Sequence, residues 1–438
     1  MASGNGDDRE SRLRGAMMDW QNGPPAYMDQ EVPYDEDDFR GEIGGSQRRK
    51  KPSQVIVPGA LPFQGWQPIN AADLPRREWV YGKHYIRKFC SVTVGPGGLG
   101  KSTLILAECI AIATGRSILG VPVHSRQRVV YYNAEDPKDE IDRRVLAICK
   151  LHKIPQEELV GWLWTASGRD TDLILAEGLE GDIVEPVFAL MDKWQEEWGA
   201  AVFAFDPLAN MTESPETNEV FRRLGKRFSR FADKHNCSIE IVHHTRKLNG
   251  RDAEVEDSRG GGALIGAVRS ARVLNPMSPD EAARAGMDTH IDHFRIDAAG
   301  KNNMARPSPH ADWYQRVGVE LANGDHVAAV QSWYWPDAFE GVTADDARRV
   351  QLAIIARGDD NPPREHVSSN DWVGHLIAKV LGRTLEERSD RAKIQAMVKA
   401  WLASGVLETT EVRDPRQARD VKCIKAGSNN PAAQPGPA

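Results

Sequence analysis

The sequence predicts an α/β protein with a mixed, mainly parallel sheet, followed by a small second domain. Two observations support this fold class. From about residue 56 to 340, short apolar runs rich in β-branched and aromatic residues alternate with helical stretches, as in parallel strands joined by crossover helices. Beyond about residue 340 the pattern becomes helical and then gives two short β-like runs.

Four apolar runs are expected to form the centre of the sheet. They are 91–94, 129–132, 202–205 and 239–242. Three of them end in polar residues, as the carboxyl edge of an open α/β sheet requires. Later runs near 271–274, 292–296 and 328–335 should extend the sheet as antiparallel strands. The polar, glycine-rich stretch 250–262 is expected to be a mobile loop.

The 438 residues are enough for one large domain and one smaller domain. Residues 1–55 carry acidic clusters and little periodic apolar content, which predicts a disordered tail. A basic stretch at 48–51 within it admits two interpretations, contact with nucleic acid or a solvated charge cluster. The expected divisions after the tail are a large domain at 56–340, a small domain at 341–427 and a second disordered tail at 428–438.

Charge and cysteine content argue against several classes of protein. A formal net charge of −7 is not that of a protein that coats nucleic acid, so any DNA contact has to come from local basic patches. The five cysteines include no CxxC pair, so neither a zinc ribbon nor a disulfide framework is indicated. No apolar run approaches the roughly 18 to 20 residues of a membrane span. We therefore expect a cytoplasmic protein that does not bind a membrane.

A phosphate-binding motif follows the first of the four strands. Its residues are Gly95, Pro96, Gly97, Gly98, Leu99, Gly100, Lys101 and Ser102, with Thr103 directly after them. The segment matches GxxxxGK[ST], the P-loop pattern, between a predicted strand and a predicted helix. The glycines let backbone N–H groups and the helix N-terminus point at phosphates, which Lys101 neutralises further. Ser102 is expected to hold Mg²⁺, so the sequence predicts ATP and Mg²⁺ as ligands.

Asp206 is the candidate for a metal-binding carboxylate next to this motif. It follows the apolar run 202–205 directly, and it should organise Mg²⁺ through water. The next residue is Pro207, so this strand lacks a second carboxylate that could activate water. The base for hydrolysis must therefore lie on another strand.

Glu135 is the candidate for that base. It lies just beyond the strand 129–132, with Asp136 as the nearby rival. Either carboxylate could instead cap a helix that begins at Pro137, a role that suits Asp136 better because proline favours the first helical position.

A histidine pair follows the run 239–242. His243 and His244 should lie at the sheet edge close to the nucleotide, where His244 is the candidate sensor of the γ-phosphate. Ordinary hydrogen bonding is the alternative for both. A metal site is less favoured, because no other ligand stands at the required spacing.

Five segments stand in a distinctive order along the chain: GPGGLGKS, YYNAEDP, FAFDP, CSIEIVHHTRK and SRGGGALIGAVRSARVL. Together they resemble the RepA-type plasmid replicative helicases, a branch of the RecA/DnaB-like ATPases that form hexameric rings on single-stranded DNA. The likeness covers about residues 75–318. It implies a RecA-like P-loop NTPase core, assembly as a homo-oligomer, and ATP-driven movement along DNA.

The resemblance implies the same site roles as the residues themselves. These are Lys101 on the phosphates, Glu135 as base, Asp206 on Mg²⁺ and His244 as sensor. It adds Arg269 as an arginine finger that reaches the nucleotide of the neighbouring subunit, with Arg259 and Arg272 as alternatives. Lys301 falls where the family has another basic residue near the shared site. Compact RepA-type helicases lack counterparts of both ends of this chain, so a phage or mobile-element relative also fits.

The small C-terminal domain is predicted to be a winged helix. Apolar positions recur at helical spacing from 390 to 404, and Gly405 and the β-like runs 406–412 and 421–424 follow. Helix, glycine and hairpin in that order predict contact with duplex DNA. Basic residues on or near the hairpin are Arg413, Arg416, Arg419, Lys422 and Lys425. A protein-docking module is the alternative.

Two functional hypotheses follow. The first is a ring-shaped helicase or translocase that acts on single-stranded DNA in the replication of a plasmid, phage or mobile element. The second is a DNA-binding regulatory or recombination-mediator ATPase that does not unwind DNA. A small-molecule kinase is weaker, because neither an acceptor-binding segment nor a lid is evident.

Overall fold

A computed structural model describes residues 65–246, 248, 250–258, 260–298, 300–414 and 419–429. The chain divides into two units, 1–73 and 74–438. In the first unit, a single 3₁₀ turn at Ala71–Asp73 is described. The predicted tail at 1–55, and residues 430–438 of the second predicted tail, lie outside the described residues.

One large sheet forms the centre of the second unit. Its parallel strands are β3 (Cys90–Gly95), β4 (Val129–Asn133), β5 (Leu163–Ser167), β8 (Val202–Asp206), β9 (Ser238–His244) and β10 (Ser270–Pro276). Its antiparallel strands are β11 (His293–Ile296), β12 (Lys301–Asn302), β13 (Asp312–Glu320) and β14 (His326–Trp333). Short pairs outside it are β1 (Trp79–Tyr81) with β2 (Tyr85–Ile86), and β6 (Ala176–Glu177) with β7 (Asp182–Ile183).

The order across the sheet is β14-β13-β11-β10-β3-β9-β8-β4-β5, with β12 also paired to β10. This mixed, mainly parallel sheet confirms the predicted fold class. One expectation was wrong: β10, predicted to be antiparallel, runs parallel to β3. β13 was not predicted, because polar residues and a glycine interrupt its apolar residues, so they neither alternate strictly nor form an apolar run.

Helices cover both faces of the sheet. They are α1 (Lys101–Thr114), α2 (Lys138–His152), α3 (Glu185–Trp198) and α4 (Asn218–Lys234). Side chains alternate between the faces of each strand, so Val202 packs toward α1 and α2 while Phe203 packs toward α3 and α4. None of the helices in the described part of the chain is long and apolar enough to cross a bilayer.

The described residues of the glycine-rich stretch 250–262 do not form one continuous loop, which corrects that part of the expectation. It contains a 3₁₀ turn at Val255–Asp257 and the start of α5 (Gly261–Ala267). The buried carboxylate of Asp257 accepts hydrogen bonds from the guanidinium groups of Arg246 and Arg251. The bond from Arg251, more than that from Arg246, holds the pKa of Asp257 far below its usual range, although partial burial opposes this. No periodic pattern in the sequence predicts these hydrogen bonds between Asp257 and the two arginines.

The C-terminal part contains three helices and a hairpin. They are α7 (Ala344–Ile355), α8 (Val373–Leu381), α9 (Arg388–Ala403), β15 (Leu407–Asp414) and β16 (Arg419–Ala426). These elements share an apolar core of their own, which includes Ile354, Ile377 and Trp401. α9 also packs on α6 (Pro279–Ala285), beside an ion pair of 3.0 Å between Arg388 and Asp288.

Candidate nucleotide-binding site

The P-loop turns over the carboxyl edge of the sheet between β3 and α1. Gly98 and Gly100 have φ angles of +73° and +101°, a left-handed region that side chains disfavour. A Cβ on Gly95 would lie 3.2 Å from the carbonyl oxygen of Leu274, so a side chain there would crowd β10. The turn therefore favours glycine at positions 95, 98 and 100, and it leaves the positive N-terminus of α1 facing the site.

Lys101 is held at the centre of this loop. Its side chain is buried, and Nζ donates hydrogen bonds to the carbonyl oxygens of Gly95 at 2.8 Å and Pro96 at 2.7 Å. Burial lowers the pKa of Lys101 to about 8, although the nearby carboxylates of Asp206 and Glu135 favour the charged form. The ammonium is thus positioned where the motif needs a cation.

Asp206 and Ser102 form the candidate Mg²⁺ site. Asp206 ends β8, is buried, and accepts a hydrogen bond of 2.8 Å from the hydroxyl of Tyr131. Burial raises its pKa, while hydrogen bonds from Ser102 and Tyr131 and the charge of Lys101 oppose that rise. A hydroxyl against a carboxylate is an oxygen donor set that suits Mg²⁺, which keeps several waters and binds phosphate oxygens. Among the described residues, no group of three His, Cys, Asp or Glu could hold an ion alone.

Glu135 and Asp136 both line the cavity, but their carboxylates are engaged differently. Asn133, the last residue of β4, accepts hydrogen bonds at its Oδ1 from the backbone N–H groups of Glu135 and Asp136 and so fixes this turn. The carboxylate of Asp136 lies 2.6 Å from Arg144 Nη1, which engages it in an ion pair. The side chain of Glu135 is 46% exposed and lines the same cavity as Lys101. Neither carboxylate caps α2, whose N-cap is Pro137, so the capping alternative was wrong.

The two histidines at the end of β9 point in different directions. His243 is buried and packs edge-on against Phe221 on the far face of the sheet, with ring centroids 5.0 Å apart. His244 lies in the site, with Nδ1 3.3 Å from Lys101 Nζ and Nε2 3.9 Å from Glu135 Oε1. A phosphate held by Lys101 would therefore lie next to both His244 and Glu135.

Arg269 lies at the amino edge of the sheet, where the parallel strands begin, opposite the carboxyl edge that carries the P-loop. It is exposed, and its backbone N–H donates to the carbonyl oxygen of Cys90, the first residue of β3. The P-loop follows the far end of β3, and a parallel strand rises about 3.3 Å per residue. Arg269 therefore lies on the order of 15 Å from the P-loop of its own chain. Lys301 lies nearby on β12, where it pairs with Ala271 of β10. Burial, and to a lesser extent the charge of Arg269, lowers the pKa of Lys301.

Arg272, the first alternative to Arg269, is excluded as an arginine finger. It is buried, and its two terminal nitrogens lie 2.8 and 2.6 Å from the carboxylate oxygens of Glu108 on α1. A guanidinium in a buried two-bond ion pair cannot reach a neighbouring subunit. The other alternative, Arg259, lies outside the described residues.

The P-loop, Glu135, Asp206 and His244 line a cavity of about 640 Å³, a size that suits a small-molecule ligand. One wall is the predicted one, from the P-loop, Glu135, Asp206 and His244. The other wall was missed and comprises Glu140, Arg143, Arg144, Arg316 and residues 325–328. Most of these come from β13, β14 and the turn between them, which carry no local motif, so only the sheet order brings them to the P-loop.

Glu135→Gln should bind ATP almost normally but hydrolyse it about 10²-fold or more slowly, because the amide cannot take a proton from water. Nucleotide titration and phosphate release measure the two effects separately. Asp136→Asn is the matched control, since that carboxylate is engaged with Arg144, and it should keep most of the turnover. The opposite pattern, with turnover lost only in Asp136→Asn, would move the base to Asp136.

ATP affinity should fall as the pH rises above about 8. Because the pKa of Lys101 is lowered to about 8, part of the lysine is neutral at higher pH before nucleotide binds. Phosphate charge favours the ammonium, so binding must then take up a proton, and affinity falls by up to about tenfold per pH unit. Calorimetric titration near pH 7.5 and 9, in buffers of different ionisation heat, measures this uptake. Lys101→Arg, which stays charged, should remove the pH dependence, whereas a flat wild-type profile would show an unshifted lysine.

Residues 60–250 match the family described as an AAA domain. Among solved structures, a KaiC-like protein from the hyperthermophilic archaeon Pyrococcus horikoshii OT3 matches with 12% sequence identity and a TM-score of 0.37. That match covers 57% of this chain and 91% of the other, a likeness too weak to indicate function. The AAA-domain match and the geometry of the site together support a P-loop ATPase.

Proposed function

We propose that the protein is a cytoplasmic, ATP-driven helicase or translocase that acts on single-stranded DNA as a ring-shaped homo-oligomer, a hexamer. It would serve the replication of a plasmid, phage or mobile element. The observation that carries the proposal is the separation of Arg269 from the P-loop of its own chain. Glu135, Asp206 and Lys101 lie at the carboxyl edge of the sheet, and Arg269 is exposed at the amino edge.

This separation supports hydrolysis that depends on assembly. In a ring of identical copies, the amino edge of one subunit can face the carboxyl edge of the next, so Arg269 meets a neighbour's nucleotide. A guanidinium there stabilises the charge of the transition state only in the assembled ring. Lys301 adds a second positive charge to the same surface.

The chemistry within one chain begins with binding and orientation. The P-loop and Lys101 hold the phosphates, and Glu135 lies where it can accept a proton from the attacking water. Ser102 and Asp206 would hold Mg²⁺, which would supply positive charge to the phosphates during hydrolysis. His244 lies between Lys101 and Glu135, so its hydrogen bonds change when the phosphate changes.

A route from the nucleotide toward DNA leads through the end of β9. Thr245, next to His244, forms a β-bridge with Ser258, and Arg246 donates to the carboxylate of Asp257. The guanidinium groups of Arg246 and Arg251 remain largely exposed on this segment. We propose that the segment 245–258 carries the nucleotide state to single-stranded DNA, which its arginines bind through phosphates.

The C-terminal hairpin is the proposed contact for duplex DNA, as in a winged helix. Several of its charges are paired, however: Arg413 lies 3.7 Å from Asp420 and Lys425 lies 3.4 Å from Glu408. Pairing of this kind reduces the positive potential that duplex DNA requires. The alternative, in which this domain docks a protein, does not require that potential.

A forked duplex with a single-stranded tail tests the proposal. Wild-type protein with ATP and Mg²⁺ should release the tailed strand, and Glu135→Gln should bind the fork without releasing the strand, because translocation requires hydrolysis. Gel separation of a labelled strand measures the release. DNA-stimulated ATP hydrolysis without strand release would reject the helicase and leave the regulatory or recombination-mediator ATPase.

Mixing two inactive variants should restore ATPase activity if Arg269 acts in the neighbouring subunit. Arg269→Ala keeps its own P-loop, and Lys101→Ala keeps its own arginine, so interfaces that combine the intact halves become active. Because a trans arginine contributes about 10³-fold or more in rate, even a minority of such interfaces should be detectable by phosphate release. Mixed oligomers that form on native gels yet stay inactive would show that Arg269 is not the finger.

A further inference from the structure

Arg316 lies against the P-loop on the flank opposite the candidate base. It belongs to β13, and its Nη1 donates a hydrogen bond of 3.0 Å to the carbonyl oxygen of Gly98. Its Cδ would lie 3.2 Å from a Cβ placed on Gly100. In the sheet, β9, β8 and β4 with the hydrolytic groups lie on one side of β3, and β10, β11 and β13 lie on the other.

Three arginines line the nucleotide cavity, and two of them are paired with carboxylates. Arg143 lies 2.7 Å from Asp139 and 2.9 Å from Asp325. Arg144 is likewise engaged by two carboxylates, those of Asp136 and Glu140. Adding an anionic ligand to either would require the guanidinium to leave these partners or share its charge with them.

The charge of Arg316 is much less neutralised. Its near hydrogen bonds are to carbonyl oxygens, of Gly98 and, at 2.6 Å, of Ile291. The carboxylate of Asp292 is 3.5 Å away and 55% exposed. The Nε of Arg316 is buried, with no hydrogen-bond acceptor among the described residues. A half-buried guanidinium with an unused N–H therefore lies in the wall of the cavity, within reach of the P-loop.

We propose that Arg316 binds the phosphate chain of the nucleotide in its own subunit, an inference that rests on the proposed ATPase function. A guanidinium matches phosphate oxygens with two parallel hydrogen bonds, and charged acceptors bind it more strongly than the carbonyl oxygen of Gly98 does. Its position away from Glu135 makes it a binding residue for ATP and ADP alike. It is distinct from Arg269, which is exposed at the other edge of the sheet.

Arg316→Ala should raise the Kd for both Mg-ATP and Mg-ADP by about tenfold or more, as loss of a charge-assisted hydrogen bond predicts. The KM for ATP should rise in parallel, and kcat should stay within about threefold. Arg316→Lys, which keeps the charge without the planar fork, should recover part of the affinity. Arg143→Ala is the matched control, because its guanidinium lies in the same cavity but is already neutralised, and it should change Kd much less.

A purely structural role for Arg316 predicts that Arg316→Ala lowers thermal stability in the absence of nucleotide. Nucleotide binding by Arg316 predicts instead that thermal unfolding without nucleotide is nearly the same for wild type and Arg316→Ala, while the stabilisation gained on adding ATP is smaller in the variant. If Arg316→Ala does not fold, Arg316→Gln, which can still donate to Gly98, is measured by the same criteria. An unchanged Kd, or a fall in kcat at unchanged Kd, would overturn the inference. A wild-type protein that binds no nucleotide would reject the proposed ATPase function as well.

Discussion

The buried ion pair between Glu108 and Arg272 is the interaction on which the nucleotide site depends. Glu108 lies on α1, the helix that begins at the P-loop, and Arg272 lies on β10. The two are joined by two short hydrogen bonds, and the hydroxyl of Tyr85 donates to the same carboxylate. Removing one partner of such a pair leaves an uncompensated buried charge, which typically costs about 3 to 5 kcal/mol.

The pair belongs to a network that links the strands under the P-loop. Arg272 Nε donates to Thr93 on β3, and the hydroxyls of Thr93 and Ser91 donate to Glu240 on β9. Burial alone would raise the pKa of Glu240, but the neighbouring His84 and Arg272 lower it overall. Buried ion pairs contribute little stability relative to apolar packing, so the effect of this network is on geometry. It fixes the register of β3, β9 and β10 and the position of α1 against them, and hence the orientation of the P-loop.

This rigid centre separates two edges of the sheet that carry different parts of the proposed chemistry. The groups proposed to bind and hydrolyse nucleotide lie at the carboxyl edge, and Arg269, the proposed arginine finger, lies at the amino edge. The C-terminal domain is connected to the first of these edges. α9 packs on α6, the chain after α6 leads to Ile291, and Arg316 bridges Ile291 to Gly98.

Local sequence determined the P-loop, the strands around it and the groups at their ends. A glycine pattern with a lysine, and apolar runs that end in Asp206 or His244, have direct physical meaning because parallel strands deliver their carboxyl ends to one edge. Only the tertiary structure decided between residues of equal local chemistry. It pairs Asp136 with Arg144 and leaves Glu135 facing the site, and it buries Arg272 while exposing Arg269. Arg316 is 215 residues from Lys101 in sequence, and only strand order places it at the P-loop. Such contacts depend on which strands become neighbours, which the free energy of the whole fold decides rather than any local pattern.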